Sequence, residues 1–460
     1  LLFENDGTGK FKDVTQQSGL GYKGHSSGAV FFDYDRDGLL DLFLTNVGQY
    51  TTEQLRHMTI EPTGNLYESG EYSFYDGFSD AFTGHLIPER AEGSILFKNA
   101  GANRFVDVTE GAGLLDAGWS GDASPIDVNQ DGWPDLYVLD MEGNDEYYEN
   151  FNGKYFVKKD SVFPKTPWGA MGIKAFDYDN DGDMDVFITD MHSDMSANIG
   201  PEREKLKASV EWDESFLLSG NLSIFGNAFY ENLGDGQFQE ISDQIGAENY
   251  WPWSLSVADL NADGFDDVFI TASMNYPFRY GINTVLLNNR GERFLDSEFI
   301  LGVEPRQGWQ TATPWFEVDC AGDDQSHRDC VNGNLTGQNT VWGALGSRSS
   351  VIFDLDGDGD MDIVTNDFNS KPMILISNLT RKMDKINFLK VTLLGTESNR
   401  NGLGATVRVH AGSQTYTKVH DGKSGYLSQS LLPLYFGLSD TNTIDRIEVV
   451  WPSGLVQTVL

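Results

Sequence analysis

Five stretches of the sequence place oxygen-bearing side chains at one fixed spacing, D-x-[DN]-x-D-G-x-x-D. They carry Asp33, Asp35, Asp37 and Asp41; Asp127, Asn129, Asp131 and Asp135; Asp177, Asp179, Asp181 and Asp185; Asp259, Asn261, Asp263 and Asp267; and Asp354, Asp356, Asp358 and Asp362. These residues occupy positions 1, 3, 5 and 9 of each loop. Position 6 is glycine in all five, as a sharp turn with positive φ favours. Hard oxygen ligands at this density select Ca²⁺ over softer metals. Position 7 is expected to add a backbone carbonyl, and position 9 a bidentate carboxylate. Three or four carboxylates converging without a cation would repel strongly, so five in-register copies predict about five bound Ca²⁺. The loops are not EF-hands, which need Glu at position 12 and flanking helices. Position 12 here is Leu44, Val138, Ile188, Ile270 or Thr365.

The elements that hold the loops are legible from their flanks. Each loop sits between short runs rich in Val, Ile, Phe and Leu, as in FFDYDRDGLLDLFLTN (31–46), which read as strands. A second element follows each loop after a variable gap, as in ILFKNAGANRFVDVT (95–109), with Asn and Gly marking a hairpin turn. A copy of that hairpin opens the chain at 1–15. One repeat is thus four antiparallel strands: a, acidic loop, b, variable loop, c, tight turn, d. That is the blade of a β-propeller. The predicted fold is an all-β, calcium-binding β-propeller of seven or six blades over residues 1–385. A small C-terminal β domain is expected over 386–460. Long insertions fall at 47–94, 191–228 and 304–346. Connectivity places the acidic a–b loops on one rim and all three insertions on the other. Pro201 is placed to start a helix in the second insertion, and the first is dense in aromatics from Tyr50 to Phe82.

Composition narrows the function. The 460 residues include 70 Asp and Glu against 32 Lys and Arg, a formal net charge of -38. Such a chain lacks the basic face that a phosphate backbone demands, so no nucleic-acid partner is expected. Acidity also disfavours anionic lipid, and no apolar run approaches the roughly 18 residues of a membrane span, so no membrane insertion is expected. Cys320 and Cys330 lie in a polar stretch and are read as a short disulfide-closed loop. Gly24–Gly28 matches G-x-S-x-G, but a nucleophile elbow needs a strand before it and a helix after. Here a strand follows. No HExxH, P-loop or dinucleotide fingerprint is present, so no catalytic residue is assigned and the chain is read as a non-enzyme.

The acidic loops with their LFxNxGxGxFxDVT hairpins resemble the FG-GAP/VCBS repeats of integrin-α-like propellers. Residues 387–460 look like the ASPIC/UnbV domain of cartilage acidic protein homologues, through Asn401–Ala405, Ser424–Gln429, Tyr435–Leu438 and Val450–Gly454. The resemblance implies a secreted, extracellular or cell-surface protein, with the periplasm as a further compartment. It also implies a calcium-binding scaffold whose partner is an extracellular protein or glycan. Two alternatives stand beside it: a carbohydrate-active hydrolase or lyase, and a structural subunit of an extracellular assembly. Phe388, Tyr426, Phe436 and Trp451 are expected in the core of the C-terminal domain.

Overall fold

The computed structural model describes residues 1–49, 88–115, 118–191, 200–208, 213–217, 219–234, 236–273, 279–368, 370–383 and 385–460, with the backbone of His57–Ile60 and Tyr72–Tyr75. The aromatic-rich part of the first insertion lies outside the described side chains.

The alternating apolar runs form five sheets in chain order. Blade 1 joins strands Ser26–Phe32, Asp41–Asn46, Ile95–Asn99 and Phe105–Asp107. Blade 2 joins Ser120–Ile126, Asp135–Asp140, Glu146–Phe151 and Tyr155–Lys158. Blade 3 joins Ala170–Phe176, Asp185–Asp190, Ala228–Asn232 and Phe238–Glu240. Blade 4 joins Pro252–Ala258, Asp267–Ala272, Thr284–Asn288 and Phe294–Asp296. Blade 5 has three strands, Gly346–Phe353, Asp362–Phe368 and Ile374–Leu375. The a strands of successive blades lie beside one another. Each blade interface buries its own apolar cluster, such as Phe32, Phe43 and Leu96 against Leu136, Val138 and Phe156 between blades 1 and 2. Burial of such side chains stabilises by roughly 1.5–3 kcal/mol each, which is why each blade depends on its neighbours.

Two expectations are corrected. The opening hairpin, Phe3–Asn5 with Phe11–Asp13, stays a two-stranded sheet, and Leu2 and the following Leu20 pack on the face of blade 1 turned away from blade 2. Neither six nor seven complete blades assemble among the described residues, because the strands of 386–460 pair only with one another. The helix expected to start at Pro201 is, among the described residues, a 3-10 turn, Pro201–Arg203, and one helical turn, Glu214–Leu217.

The rims follow from strand register. Phe32 pairs with Asp41 at the acidic end of blade 1, and Ser26 with Asn46 at the other. Phe176 pairs with Asp185, and Ala170 with Asp190. Phe353 pairs with Asp362, and Gly346 with Phe368. The 47–94, 191–228 and 304–346 segments therefore all attach at the end opposite the acidic loops. Within the last, Ala312–Asp319 and Gln338–Ala344 form a hairpin. Its tip is closed by the Cys320–Cys330 disulfide, with Cα atoms 5.4 Å apart.

The C-terminal domain contains two sheets, one pairing Phe388–Val391 with Leu434–Gly437. The other orders Gln414–His420, Ala405–Ala411, Arg446–Val450 and Val456–Val459. Val407, Val409, Phe436 and Leu438 fill the space between them. The domain sits on the acidic rim. Tyr435 Oη donates to the Gly359 carbonyl at 3.1 Å, and Lys418 pairs with Asp266.

From that seat, residues 421–430 run down the propeller axis and touch all five blades. Gln429 bonds the backbone of Phe31, accepting its N–H at 2.7 Å and donating to its carbonyl at 3.1 Å. Lys423 pairs with Asp122 at 2.5 Å, and Asp421 with Lys174 at 2.5 Å. Tyr426 packs edge-on to Trp253 at 5.3 Å, and its N–H donates to Ser349 Oγ at 2.9 Å. Gly425 has φ +65°, and a Cβ there would stand 2.4 Å from the Ser350 carbonyl oxygen. Tyr426 thus belongs to the axis of the propeller, which corrects its expected place in the C-terminal core. Phe388 is also outside that core: it is 38% exposed and stacks on Tyr435. Phe436 is fully buried and Trp451 half-buried against the core, as expected.

Candidate metal centres

Each acidic loop bridges strands a and b and is held by one hydrogen-bond pattern, repeated five times. The position-1 carboxylate accepts the N–H of the position-6 glycine at 2.7–3.1 Å. The position-5 carboxylate accepts the N–H of position 7 at 2.8–3.2 Å. These bonds curl the loop so that its side-chain oxygens face inward. The position-6 glycines have φ between +83° and +101°. Position 4 is left-handed as well, at Arg36, Gln130, Asn180, Ala262 and Gly357. That second turn is invisible in the residue types, because these five residues share no chemistry.

Carboxylate oxygens of Asp33, Asp35 and Asp37 lie within 4.8 Å of one another, as do those of Asp177, Asp179 and Asp181. In the fifth loop the corresponding group is Asp354, Asp356 and Asp362. Loops 2 and 4 have Asn129 and Asn261 at position 3, and each amide donates toward the position-5 carboxylate, Asp131 or Asp263.

The oxygens left over by this network test the fit to a cation. Oδ1 of Asp33, Asp127 and Asp177 is buried without a hydrogen-bond partner, as is Oδ1 of Asp35. Leaving a buried acceptor unpaired costs about 1–3 kcal/mol, and at Asp33, Asp127 and Asp177 it points to a missing positive partner; the Asp35 carboxylate already meets Lys98 through its other oxygen. Burial, with neighbouring aspartates adding repulsion, pushes the Asp177 carboxyl up to about 8. Burial likewise pushes Asp33 and Asp127 up to about 6 and Asp259 up to about 7. A hard divalent cation reverses this cost, since it supplies the charge and the ligation that the carboxylates lack. The donor set fits such an ion.

Position 9 has a further role. Oδ2 of Asp41, Asp135, Asp185, Asp267 and Asp362 accepts the position-2 N–H at 2.8–3.3 Å. Oδ1 accepts an N–H from strand c, or from Ser377 just after it, at 2.7–2.8 Å. This carboxylate therefore rivets the loop to the next hairpin.

The hairpin asparagines were read as turn formers only, and the structure gives them more to do. Nδ2 of Asn99, Asn150, Asn232 and Asn288 donates to the position-8 carbonyl of Leu40, Pro134, Met184 or Asp266. Asn150 also bonds the Tyr34 carbonyl of blade 1, and Asn288 the Tyr178 carbonyl of blade 3. The available signal was an asparagine two or three residues before the turn glycine, at Asn99 and Asn232 as N-x-G and at Asn150 and Asn288 as N-x-x-G.

Ammonium groups enter two of the loops. Lys98 pairs with Asp35 and Asp37, and Lys390 of the C-terminal domain pairs with Asp354. Arg36 lies 4.1 Å above the Trp133 ring of the next loop.

Residues 395–460 match the ASPIC and UnbV family, and residues 1–44, 127–188 and 216–270 match the FG-GAP-like repeat. Cartilage acidic protein 1 of Xenopus tropicalis is 24% identical over 256 residues, covering 50% of this chain. The chain spans 39% of that relative's length. The V. cholerae biofilm matrix protein Bap1 is a distant structural neighbour at 11% identity and TM-score 0.25, covering 95% of this chain and 59% of its own. With repeats, rim and C-terminal domain all in place, the chain carries FG-GAP-like repeats and a C-terminal region that matches ASPIC and UnbV, and it is distantly similar to cartilage acidic protein 1.

Proposed function

We propose that this protein is a calcium-dependent binding or adhesion scaffold that works outside the cell and carries out no catalysis. The observation that carries the reading is the set of partnerless carboxylate oxygens at Asp33, Asp127 and Asp177, in register across three blades. Five loops of one design would take up to five Ca²⁺ and stiffen one rim. The variable segments on the other rim would then be held for contact with an extracellular protein or glycan, since rigid scaffolds commonly carry binding on their loops. The disulfide suits an oxidising compartment. The filled axis supports binding over turnover, because a propeller's central channel is closed here by residues 421–430.

The test is metal stoichiometry by elemental analysis after equilibration in millimolar Ca²⁺, paired with melting in Ca²⁺ and in chelator. Three to five ions per chain and a large chelator-induced drop are expected. One ion or none, with unchanged melting, would overturn the reading and leave solvated acidic turns.

A further inference from the structure

A cleft of about 390 Å³ separates acidic loops 1 and 2 from the C-terminal domain. One wall is the outer face of the four-stranded sheet. Strand alternation turns Val407 and Val409 into the domain core, and turns Thr406 and Arg408 toward the propeller. Trp451 stands beside them, just beyond strand Arg446–Val450. The facing wall offers Ile126 and Met184, with Asp131 at its edge.

The lining selects a ligand class. Arg408 spends one N–H on Glu448 at 3.1 Å, and among the described residues its remaining donors have no protein partner. Thr417 Oγ1, buried without a hydrogen-bond partner, adds a hydroxyl that can donate or accept. A wholly apolar ligand would strand both groups away from water, which costs more than its own burial returns. A strongly anionic ligand would meet loops 1 and 2, whose four and three aspartates outnumber the charge of one Ca²⁺ each, and a cationic one would meet Arg36 and Arg408. What remains is a neutral molecule with an apolar face and a rim of groups that both donate and accept. A pyranose ring has that form: its C–H face fits the Trp451 indole, and its hydroxyls fit the arginine and threonine edges. Concave, mostly apolar sites with a few convergent polar groups, set between domains, are where small ligands bind.

We infer that this interdomain cleft binds a neutral saccharide of one or two rings. The inference rests on the binding reading above and names a site on the calcium rim for it.

The experiment uses the full chain in Ca²⁺ and a panel of neutral di- and trisaccharides, read by saturation-transfer NMR and calorimetry. Matched uronic-acid oligomers and a short-chain fatty acid serve as the charged and apolar arms. At least one neutral saccharide is expected to bind saturably. Trp451→Ala should weaken it by about tenfold or more, with calcium stoichiometry as in the parent; melting is not the control, since Trp451 also packs on the domain core. Thr406→Trp, which fills the cleft without removing a buried contact, should abolish binding even if the Trp451 variant fails to fold. The inference is overturned if no neutral saccharide binds, if only a charged or apolar arm binds, or if binding survives Thr406→Trp. Loss of calcium stoichiometry would strike the scaffold reading instead, so the two failures are distinguishable.

Discussion

Replacing Asp177 with Asn should spare or raise the stability of this protein without calcium and remove the part that calcium adds at loop 3. Asp177 is 3% exposed, its Oδ2 accepts the Gly182 N–H at 3.1 Å, and its Oδ1 has no partner. Asparagine keeps an acceptor for Gly182 and removes the charge. In the metal-free protein, burial and the charges of Asp185, Asp181 and Asp179 lift the Asp177 carboxyl from 3.8 to about 8. A carboxyl raised on folding contributes stability that is full below about pH 4 and is lost as pH rises through about 8. Each unit is worth about 1.36 kcal/mol, so some three units between pH 4 and 7 set a ceiling of roughly 4 kcal/mol for this one group. Asp185, also held at about 8, shares the same repulsion, so the two do not add in full. Asp177→Asn should therefore match the parent at pH 4 in chelator, and equal or exceed it at pH 7.5 in chelator. In Ca²⁺ at pH 7.5 the parent gains about 2.7 kcal/mol that the variant does not, where the lost site would have stood at a hundredfold excess over its Kd, so the variant drops by that amount against the parent between chelator and calcium. Denaturant unfolding at the two pH values, with and without the metal, reads all four states. An equal loss in chelator and in calcium would refute the reasoning, as would a metal-free protein that gains stability from pH 5 to 8.

Three further outcomes follow from contacts already described. Lys423→Met leaves Asp122 buried and unpaired in the axis, where both side chains are almost wholly inaccessible. It should cost about 3–5 kcal/mol and expose 421–430 to proteolysis, measured by digestion mapping. Lys390→Met removes the ammonium from Asp354 and should tighten calcium at loop 5, seen as a higher-affinity phase in calorimetric titration. Asn150→Ala strips donors from the Pro134 and Tyr34 carbonyls and should cost about 2–6 kcal/mol, at about 1–3 kcal/mol per unpaired group, in either metal state.

Where function is written in short-range spacing, the sequence announced it. The acidic loops and the glycine at position 6 are local in sequence, as are the flanking strands. All three recur, and register alone then placed the insertions on the far rim. Long-range geometry was hidden. Nothing in Asp421–Ser430, a polar and glycine-rich run, signals that it will cross five blades. Small and polar residues read as a surface turn, yet they are what a narrow polar axis admits. Tyr426 was misplaced for the same reason: its aromatic ring said buried, without saying in which domain. The second role of the position-9 aspartates was masked by the first, since a carboxylate that could ligate looks the same as one that ties two strands.

The threaded axis sets an order of events during synthesis. Phe31, on the innermost strand of blade 1, receives its bonds from Gln429, a residue 398 positions later. At about 5–20 residues per second, the ribosome needs roughly 20–80 s to supply that partner after Phe31 is made. Early blades wait through this interval with an uncapped inner edge, the kind of surface on which chains pair wrongly. A chain that stops short of Asp421 would keep that edge permanently. Insertion of the last domain into the ring thus serves as a check on completeness, and a cell's proteases and chaperones can read the open axis as the mark of an unfinished molecule.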